Sequence, residues 1–451
     1  MRNFNLNNIL RNSMQSVLIK KILFVLLLLL LSCPLWQYAI PVFHISPLSG
    51  AYVKKEMQPL TAVNWLTADF QKSTEEYVIL NNPLGPFFVS VKNQLEYSLF
   101  DKLNISRGVL GKHNYMYEQV FIDTYYGRDF IGKEALLEYV GKMKFIQDTL
   151  RALNKEFIYI QCPGKASFYP EFIPDSLKGP ITQKTNYNEL IKLLDEFKIN
   201  YIDFAPVFLK AKDNSPYPLF TQTGIHWSVY SNVGVMDSIN NFIETTMNLD
   251  LPEVYAESYE LDYARDPDGD LEYITNLFYK ISDIQYAYPK LKIESPKNKD
   301  LPIVCMVSDS YMGNLYHKMN FFDSFNKKSQ FWFYNGSVYS YLFKDRMHPY
   351  QIDQDKTIAD SDIIIVSCTE PNVSYRSWDF IDETYDYYKY GLKIKDSKKK
   401  HDFLIAAQKL KATFNENQIK KAIKEARKLG ISDDSAVTIY SFWEYQFRNL
   451  K

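Results

Sequence analysis

Two short segments carry residue types that could do nucleophilic chemistry. The first, Met306-Val307-Ser308-Asp309-Ser310-Tyr311, closes a continuous apolar run and leads into a helical pattern. A serine at such a junction gains two things: an Oγ exposed on a sharp turn, and a backbone N–H near a helix N-terminus, where it can stabilise an oxyanion. Taken alone, the segment also reads as a helix cap, with Ser308 or Asp309 bonding the first turn. The second segment is Thr223-Gly224-Ile225-His226-Trp227-Ser228, which holds one of the chain's six histidines. A base for a serine hydroxyl must titrate near neutrality, and histidine is the usual choice. The plainer alternative is a capping or satisfied core histidine. No HxH or HxxxH pair occurs, so no histidine-based metal site is expected.

These segments need a frame, and five short apolar runs supply it: 157–160, 201–204, 303–307, 331–334 and 363–366. The third and fifth are apolar throughout, as strands covered on both faces are. Helical patterns lie between and around them, at 133–154, 186–197 and 230–247, and Leu136, Leu137, Val140, Met143 and Ile146 fall on one face of the first. Strands alternating with helices predict an α/β architecture with a central, mostly parallel sheet. In such sheets active sites form at the carboxyl ends of strands, which is where Ser308 to Ser310 would lie. From about residue 400 the pattern is helical again, with Ala406, Leu410, Phe414, Ile419, Ala422, Ile423 and Ala426 before a stop at Gly430.

In this order along the chain, the segments resemble the SGNH-like, alginate-type O-acetyltransferases, including those with an Asp-His-His-Trp signature. The resemblance covers roughly residues 60–390. Leu110-Gly111-Lys112 followed by Tyr115-Met116-Tyr117 is similar to the family's G-K-D-G-W-L-F segment. Pro163-Gly164-Lys165-Ala166-Ser167-Phe168-Tyr169-Pro170-Glu171 resembles its P-x-K-x-x-x-Y-P-E loop. Gly224-Ile225-His226-Trp227 stands where D-x-H-W is expected, Ser308-Asp309-Ser310-Tyr311 stands at the nucleophile, and Cys368-Thr369-Glu370-Pro371-Asn372 resembles a late T-E-x-N segment.

The resemblance implies a three-layer αβα fold and O-acylation, typically O-acetylation, of an exopolysaccharide or cell-surface glycan. Ser310 would be the nucleophile and His226 its base. Trp227, Tyr334, Asn335 and Lys165 would contact the sugar. No cofactor is implied. The partners would be a polysaccharide acceptor and a polytopic membrane O-acyltransferase that passes acyl groups outward. One position departs from the pattern: the family's acid falls on Gly224, which has no side chain. Another carboxylate must then orient His226, with Glu370 favoured over Asp309, or a backbone carbonyl must do so. On this reading Gly224→Asp is expected to keep or raise activity. Two alternatives stay open, a carbohydrate esterase of the same fold and a noncatalytic polysaccharide-binding or assembly protein.

Bulk properties set the rest. The formal net charge is −1, which leaves no basic stripe for a nucleic-acid backbone. The 35 tyrosines suit sugar surfaces, which take a ring's apolar face and polar tip together, although the same count can be a compositional habit. Cys33, Cys162, Cys305 and Cys368 show no CxxC spacing and read as core or membrane-segment cysteines. Residues 22–43 are almost uniformly apolar, preceded by Arg2, Arg11, Lys20 and Lys21, with the first acidic residue at Glu56. That predicts an uncleaved, single-pass anchor with the N-terminus inside and the remainder exported. It is favoured over a cleaved signal peptide or a lipoprotein-type cleavage at Leu31-Ser32-Cys33, which Pro34 and further apolar residues follow. The resemblance implies the bacterial inner membrane, with the catalytic domain in the periplasm. The expected organisation is a cytoplasmic stretch 1–21, an anchor 22–43, a lead-in with helices 44–110, a catalytic domain 111–395 and a C-terminal helical segment 396–451.

Overall fold

The structure is a computed structural model, and it describes residues 6–50, 56–182, 184–294 and 300–390. The C-terminal helical segment expected at 396–451 lies outside the described residues. The chain divides into two compact units: residues 1–102 with 276–279, and the remainder.

The first unit opens with a helix, Leu6–Ala39, which carries Pro34 inside it. Its stretch Val17–Ala39 is the single candidate among the described residues that is long and apolar enough to cross a membrane. Its 23 residues give a rise of about 35 Å, enough for a hydrocarbon core of about 30 Å. Three helices follow, Ala62–Leu66, Asp69–Leu80 and Gly85–Phe100; Thr61 caps the first by accepting from the Asn64 N–H at 3.1 Å.

Among the described residues the second unit is built on ten strands. They are β1 (Gly108–Leu110), β2 (Met116–Glu118), β3 (Glu156–Cys162), β4 (Tyr201–Asp203), β5 (Glu253–Tyr263), β6 (Gln285–Glu294), β7 (Val304–Ser308), β8 (Gln330–Phe333), β9 (Ser337–Ser340) and β10 (Ile363–Thr369). The main sheet runs β4-β3-β10-β7-β8-β9. Its first five strands are parallel, and β9 returns antiparallel on β8. All five apolar runs read from the sequence are strands of this sheet, which has helices on both sides. β10 lies at its middle, paired from Ile363↔Glu156 to Thr369↔Cys162 on one edge and from Ile363↔Val304 on the other.

Burial explains the apolar runs. Phe157, Tyr159, Cys305, Val307, Ile364, Val366 and Cys368 share one core with Leu136, Val140, Met143, Ile146 and Leu150 of the helix Lys133–Ala152. Those helical positions recur at three and four residues, which presents one continuous stripe to the sheet. Each fully buried aliphatic side chain there is worth about 1.5–3 kcal/mol relative to exposure. The intervening Ile158, Ile160, Met306 and Ile365 are equally buried, as the two-residue period of a strand requires when both faces are covered.

The sequence reading missed the ribbon of β5 and β6, antiparallel from Glu253↔Glu294 to Tyr263↔Gln285 with an irregularity between Ala256 and Ser258. β5 is largely exposed and β6 mixes exposed and half-buried positions around the buried Tyr286 and Ala287; charged residues interrupt both, so neither shows an apolar run. The chain linking them contains the turn Asp266-Pro267-Asp268-Gly269-Asp270, which bears on the site.

Candidate active site

β7 delivers its last residue, Ser308, to the carboxyl edge of the sheet, and the helix Ser310–Met319 starts two residues later. Asp309 is the residue between, and it is a cap. Its Oδ1 accepts from the Tyr311 N–H at 3.1 Å, while Oδ2 accepts from the Thr369 N–H at 2.7 Å, the Thr369 hydroxyl at 2.8 Å and Asn372 Nδ2 at 2.8 Å. It therefore locks the β7 turn to the end of β10 and is spent on that. Ser308 is fully buried, and its Oγ has no hydrogen-bond partner. Ser310, half-buried, turns its hydroxyl to His226: Nε2 and Oγ stand 2.8 Å apart.

His226 lies on a loop closed by the bridge Phe220↔Trp227 and by the Ser228 N–H, which donates to the Leu219 carbonyl at 2.8 Å. Ser228 then caps the helix Val229–Met247. The imidazole is 4% exposed and packs on the Tyr311 ring, with centroids 4.9 Å apart. The Tyr311 hydroxyl donates to the Ile225 carbonyl at 2.7 Å, so the helix that carries Ser310 also holds the histidine loop.

A carboxylate does stand at the second ring nitrogen, and it belongs to Asp270. Its Oδ2 lies 2.7 Å from His226 Nδ1, a close ion-pair contact bent away from linear hydrogen-bond geometry. Such contacts commonly straighten only when substrate is bound. Its Oδ1 accepts from the Ile225 N–H at 3.0 Å. Neighbours fix the segment: Asp268 Oδ1 accepts from the Val229 N–H at 3.0 Å, and Glu272 takes the Thr223 hydroxyl at 2.9 Å. Burial opposes the charged form of His226, but the charge and contact of Asp270 outweigh it and raise the pKa above the usual histidine value. Glu118, at the end of β2, is pushed up to about 7 by burial and by Asp270, with His226 opposing.

Neither carboxylate favoured from the sequence reaches the imidazole. Glu370, 3% exposed, accepts from the Gly164 N–H at 2.9 Å and from the Ser167 hydroxyl, tying β10 to the loop after β3; burial pushes it up to about 7. Asp309 is the cap already described. Asp270 lies 44 residues after His226 with no spacing that links them, and the sole trace of it in sequence is an acidic Pro/Gly turn of no assigned purpose. Tertiary packing alone brings the two together.

The expected sugar contacts divide. Trp227 is fully buried, stacked on Phe208 at 5.4 Å and donating to Asn232 Oδ1 at 2.5 Å, so it is core and lines no groove. Lys165 is fully buried as well, with its ammonium on the backbone carbonyls of Gln222 and Gly224 at 2.8 and 2.6 Å, which leaves it unable to meet a ligand from solvent. Asn335 donates to the Trp378 carbonyl at 2.9 Å and to Glu383 at 3.1 Å. Tyr334 is the one that adjoins the chemistry. It is half-buried, and its hydroxyl lies beside Ser310, whose side chain and backbone partly offset the burial that pushes the tyrosine's pKa up. It and Asn335 both have positive φ, 53° and 51°, an uncommon state for a bulky residue that the short β8–β9 turn imposes.

Gly224 is required by space. A Cβ there would come within 2.6 Å of both the Asp268 carbonyl oxygen and Thr221 Oγ1. The expectation that aspartate could be restored at this position therefore fails, since the carbonyl is backbone and cannot turn aside. Gly224→Asp is expected to cost about 1–3 kcal/mol by overpacking and to displace the His226 loop. A lower melting temperature together with slower ester hydrolysis checks this, and wild-type values of both would contradict it.

A serine hydroxyl, an imidazole and a carboxylate in a row, beside a helix N-terminus, form an arrangement able to activate an oxygen nucleophile and stabilise an oxyanion. Residues 121–295 match the family described as the SGNH hydrolase-like domain of the acetyltransferase AlgX. Among solved structures the chain is similar to the O-acetyltransferase domain of Pseudomonas putida AlgJ, at 17% identity and a TM-score of 0.42, covering 62% of this chain and 98% of that one. It is also similar to Pseudomonas aeruginosa AlgX, at 14% identity and a TM-score of 0.39, covering 58% and 61%. A third is Bacillus cereus PatB1 carrying a sulfonyl adduct, at 14% identity and a TM-score of 0.37, covering 55% and 93%. No curated protein matches the chain.

Proposed function

We propose, from the premise that residues 121–295 belong to the SGNH hydrolase-like acetyltransferase family, that this protein is a membrane-anchored, extracytoplasmic O-acetyltransferase acting on an exopolysaccharide or cell-surface glycan. The observation that carries the proposal is the row Ser310–His226–Asp270, at 2.8 and 2.7 Å, at the carboxyl end of β7. Asp270 supplies the acid whose place Gly224 leaves empty, and with it goes the main reason for a noncatalytic reading.

The steps follow from the positions. His226 Nε2 takes the Ser310 proton as Oγ attacks the acyl carbonyl of the donor. Asp270 holds the imidazole and stabilises its charged form. The Ser310 backbone N–H, which Tyr334 adjoins in the free enzyme, is the donor for the oxyanion. The tetrahedral species collapses, the leaving group departs with the proton from His226, and an acetyl-serine ester remains. A sugar hydroxyl then gives its proton to His226 and attacks that ester, and as the serine ester bond breaks His226 returns the proton to Ser310 Oγ, which frees Ser310 and leaves the acetyl group on the glycan. The donor is an acyl group handed outward by a polytopic membrane O-acyltransferase. Incubation with p-nitrophenyl acetate and acceptor oligosaccharides tests this: acetylated oligosaccharide in the mass spectrum is expected, whereas acetate release unaffected by the acceptor would assign an esterase instead.

The anchor is supported by the helix Val17–Ala39 and the basic residues before it. The full chain is expected to sediment with membranes and to resist carbonate extraction, while a chain beginning at His44 stays in the supernatant. A mature form that begins after Phe43, or lipid on Cys33, would overturn the anchor.

A further inference from the structure

Lys165 opens the short helix Lys165–Phe168 directly after the loop that follows β3. Its side chain has no exposed surface. Burial pushes its pKa well down, with the negative charge of Asp270 opposing. Its ammonium lies over the rings of Tyr117 and Tyr115, at 5.3 and 5.8 Å, and makes two hydrogen bonds, both to backbone carbonyls of the histidine loop. One of them is the Gly224 carbonyl. That C=O and the Ile225 N–H are the two ends of a single peptide group, and the Ile225 N–H donates to Asp270 Oδ1. Lys165 and Asp270 thus grip opposite ends of the Gly224–Ile225 peptide, one residue before His226, and the other oxygen of the same carboxylate meets His226 Nδ1. The second carbonyl, that of Gln222, is shared with the Met116 N–H at 2.8 Å, which ties the start of the loop to β2.

We infer that Lys165 is a positioning residue, which fixes the Gly224–Ile225 peptide and through it the Asp270 carboxylate and the His226 loop. The inference rests on the proposed roles of Ser310 and His226. A fully buried lysine with no carboxylate in contact is costly to keep. What its Nζ adds is direction: a hydrogen bond that pins the Gly224 C=O and polarises the Ile225 N–H facing Asp270. A displacement of about 1 Å in a reacting group can cost about 100-fold in rate.

The test uses Lys165→Met, which removes the donor, and Lys165→Gln, which keeps a shorter neutral one, with kcat and KM for p-nitrophenyl acetate and the His226 Nδ1–H proton resonance as readouts. For variants that retain the wild-type near-ultraviolet circular dichroism, kcat is expected to fall about 100-fold for Met and about 10-fold for Gln, with KM within about threefold. The downfield Nδ1–H signal should broaden or vanish. Wild-type kcat in either folded variant overturns the inference, as does a loss carried by KM, which would make Lys165 a substrate contact. Failure of both variants to fold also overturns it, leaving a purely structural residue. Ser310→Ala, measured in parallel, separates the premises: if Ser310→Ala remains active, the catalytic reading itself falls, and if it is dead while the lysine variants are normal, only the role of Lys165 does.

Discussion

Ser310→Ala is expected to lower kcat for ester hydrolysis by about 10⁴–10⁶-fold, and His226→Ala by a similar factor. The double variant should lose no more than either single one, because a nucleophile without its base, or a base without its nucleophile, has already lost the pathway. The hydroxyl of Ser310 is half-buried and the substitution removes one oxygen, so the melting temperature should change little. Ser308→Ala is the control. Its Oγ is sealed at the end of β7 without a partner and faces no base, so activity should persist. Loss of activity in Ser308→Ala together with a normal Ser310→Ala would exchange their roles.

The second large effect is expected at Asp270. Replacement by asparagine keeps the shape and the Ile225 contact but removes the charge, and an amide can present its N–H to Nδ1 and so favour the wrong tautomer. A loss of about 10⁴-fold is expected, the scale seen when a triad acid is neutralised. The pH profile gives the sharper check. His226 must be neutral to accept the Ser310 proton, so kcat/KM falls as pH drops through its pKa. In the native chain Asp270 holds that pKa above the usual histidine value, against burial. Without the charge, burial prevails and the acid limb should move to lower pH even as the plateau collapses. Activity within tenfold of wild type, or an acid limb that stays in place, would show that Asp270 does not govern the imidazole.

Local signals in the sequence pointed to the two residues that meet at 2.8 Å. A serine at a strand-to-helix junction and a histidine on a turn are legible because each is marked by its immediate neighbours: the apolar run before one, the glycine and helical pattern around the other. The same holds for strands buried along their length, such as β7 and β10: a strand covered on both faces is apolar at most positions, and that leaves a mark no tertiary knowledge is needed to read.

The exposed ribbon of β5 and β6 left no such mark, since its side chains face water and alternate with charge. With the ribbon Asp270 was lost too. It sits in the connection between the two strands, and its meeting with His226 depends on a loop packing across the 43 residues between them. Glu370 was placed correctly, after a buried strand on the active edge of the sheet, but its carboxyl is consumed by Gly164 and Ser167. Position along a strand gives the edge on which a side chain emerges; it does not give the donors that will claim it. Lys165 shows the same limit in reverse, because a cation in a loop beside a site reads as a ligand contact until packing is seen to close over it. Sequence alone determined the sheet, the turn that carries Ser310 and the loop that carries His226, each set by short-range pattern. Only the tertiary structure decided which carboxylate stands beside the imidazole, why position 224 must be glycine, and which polar side chains hold the backbone, because these follow from contacts between segments that have no fixed relation along the chain.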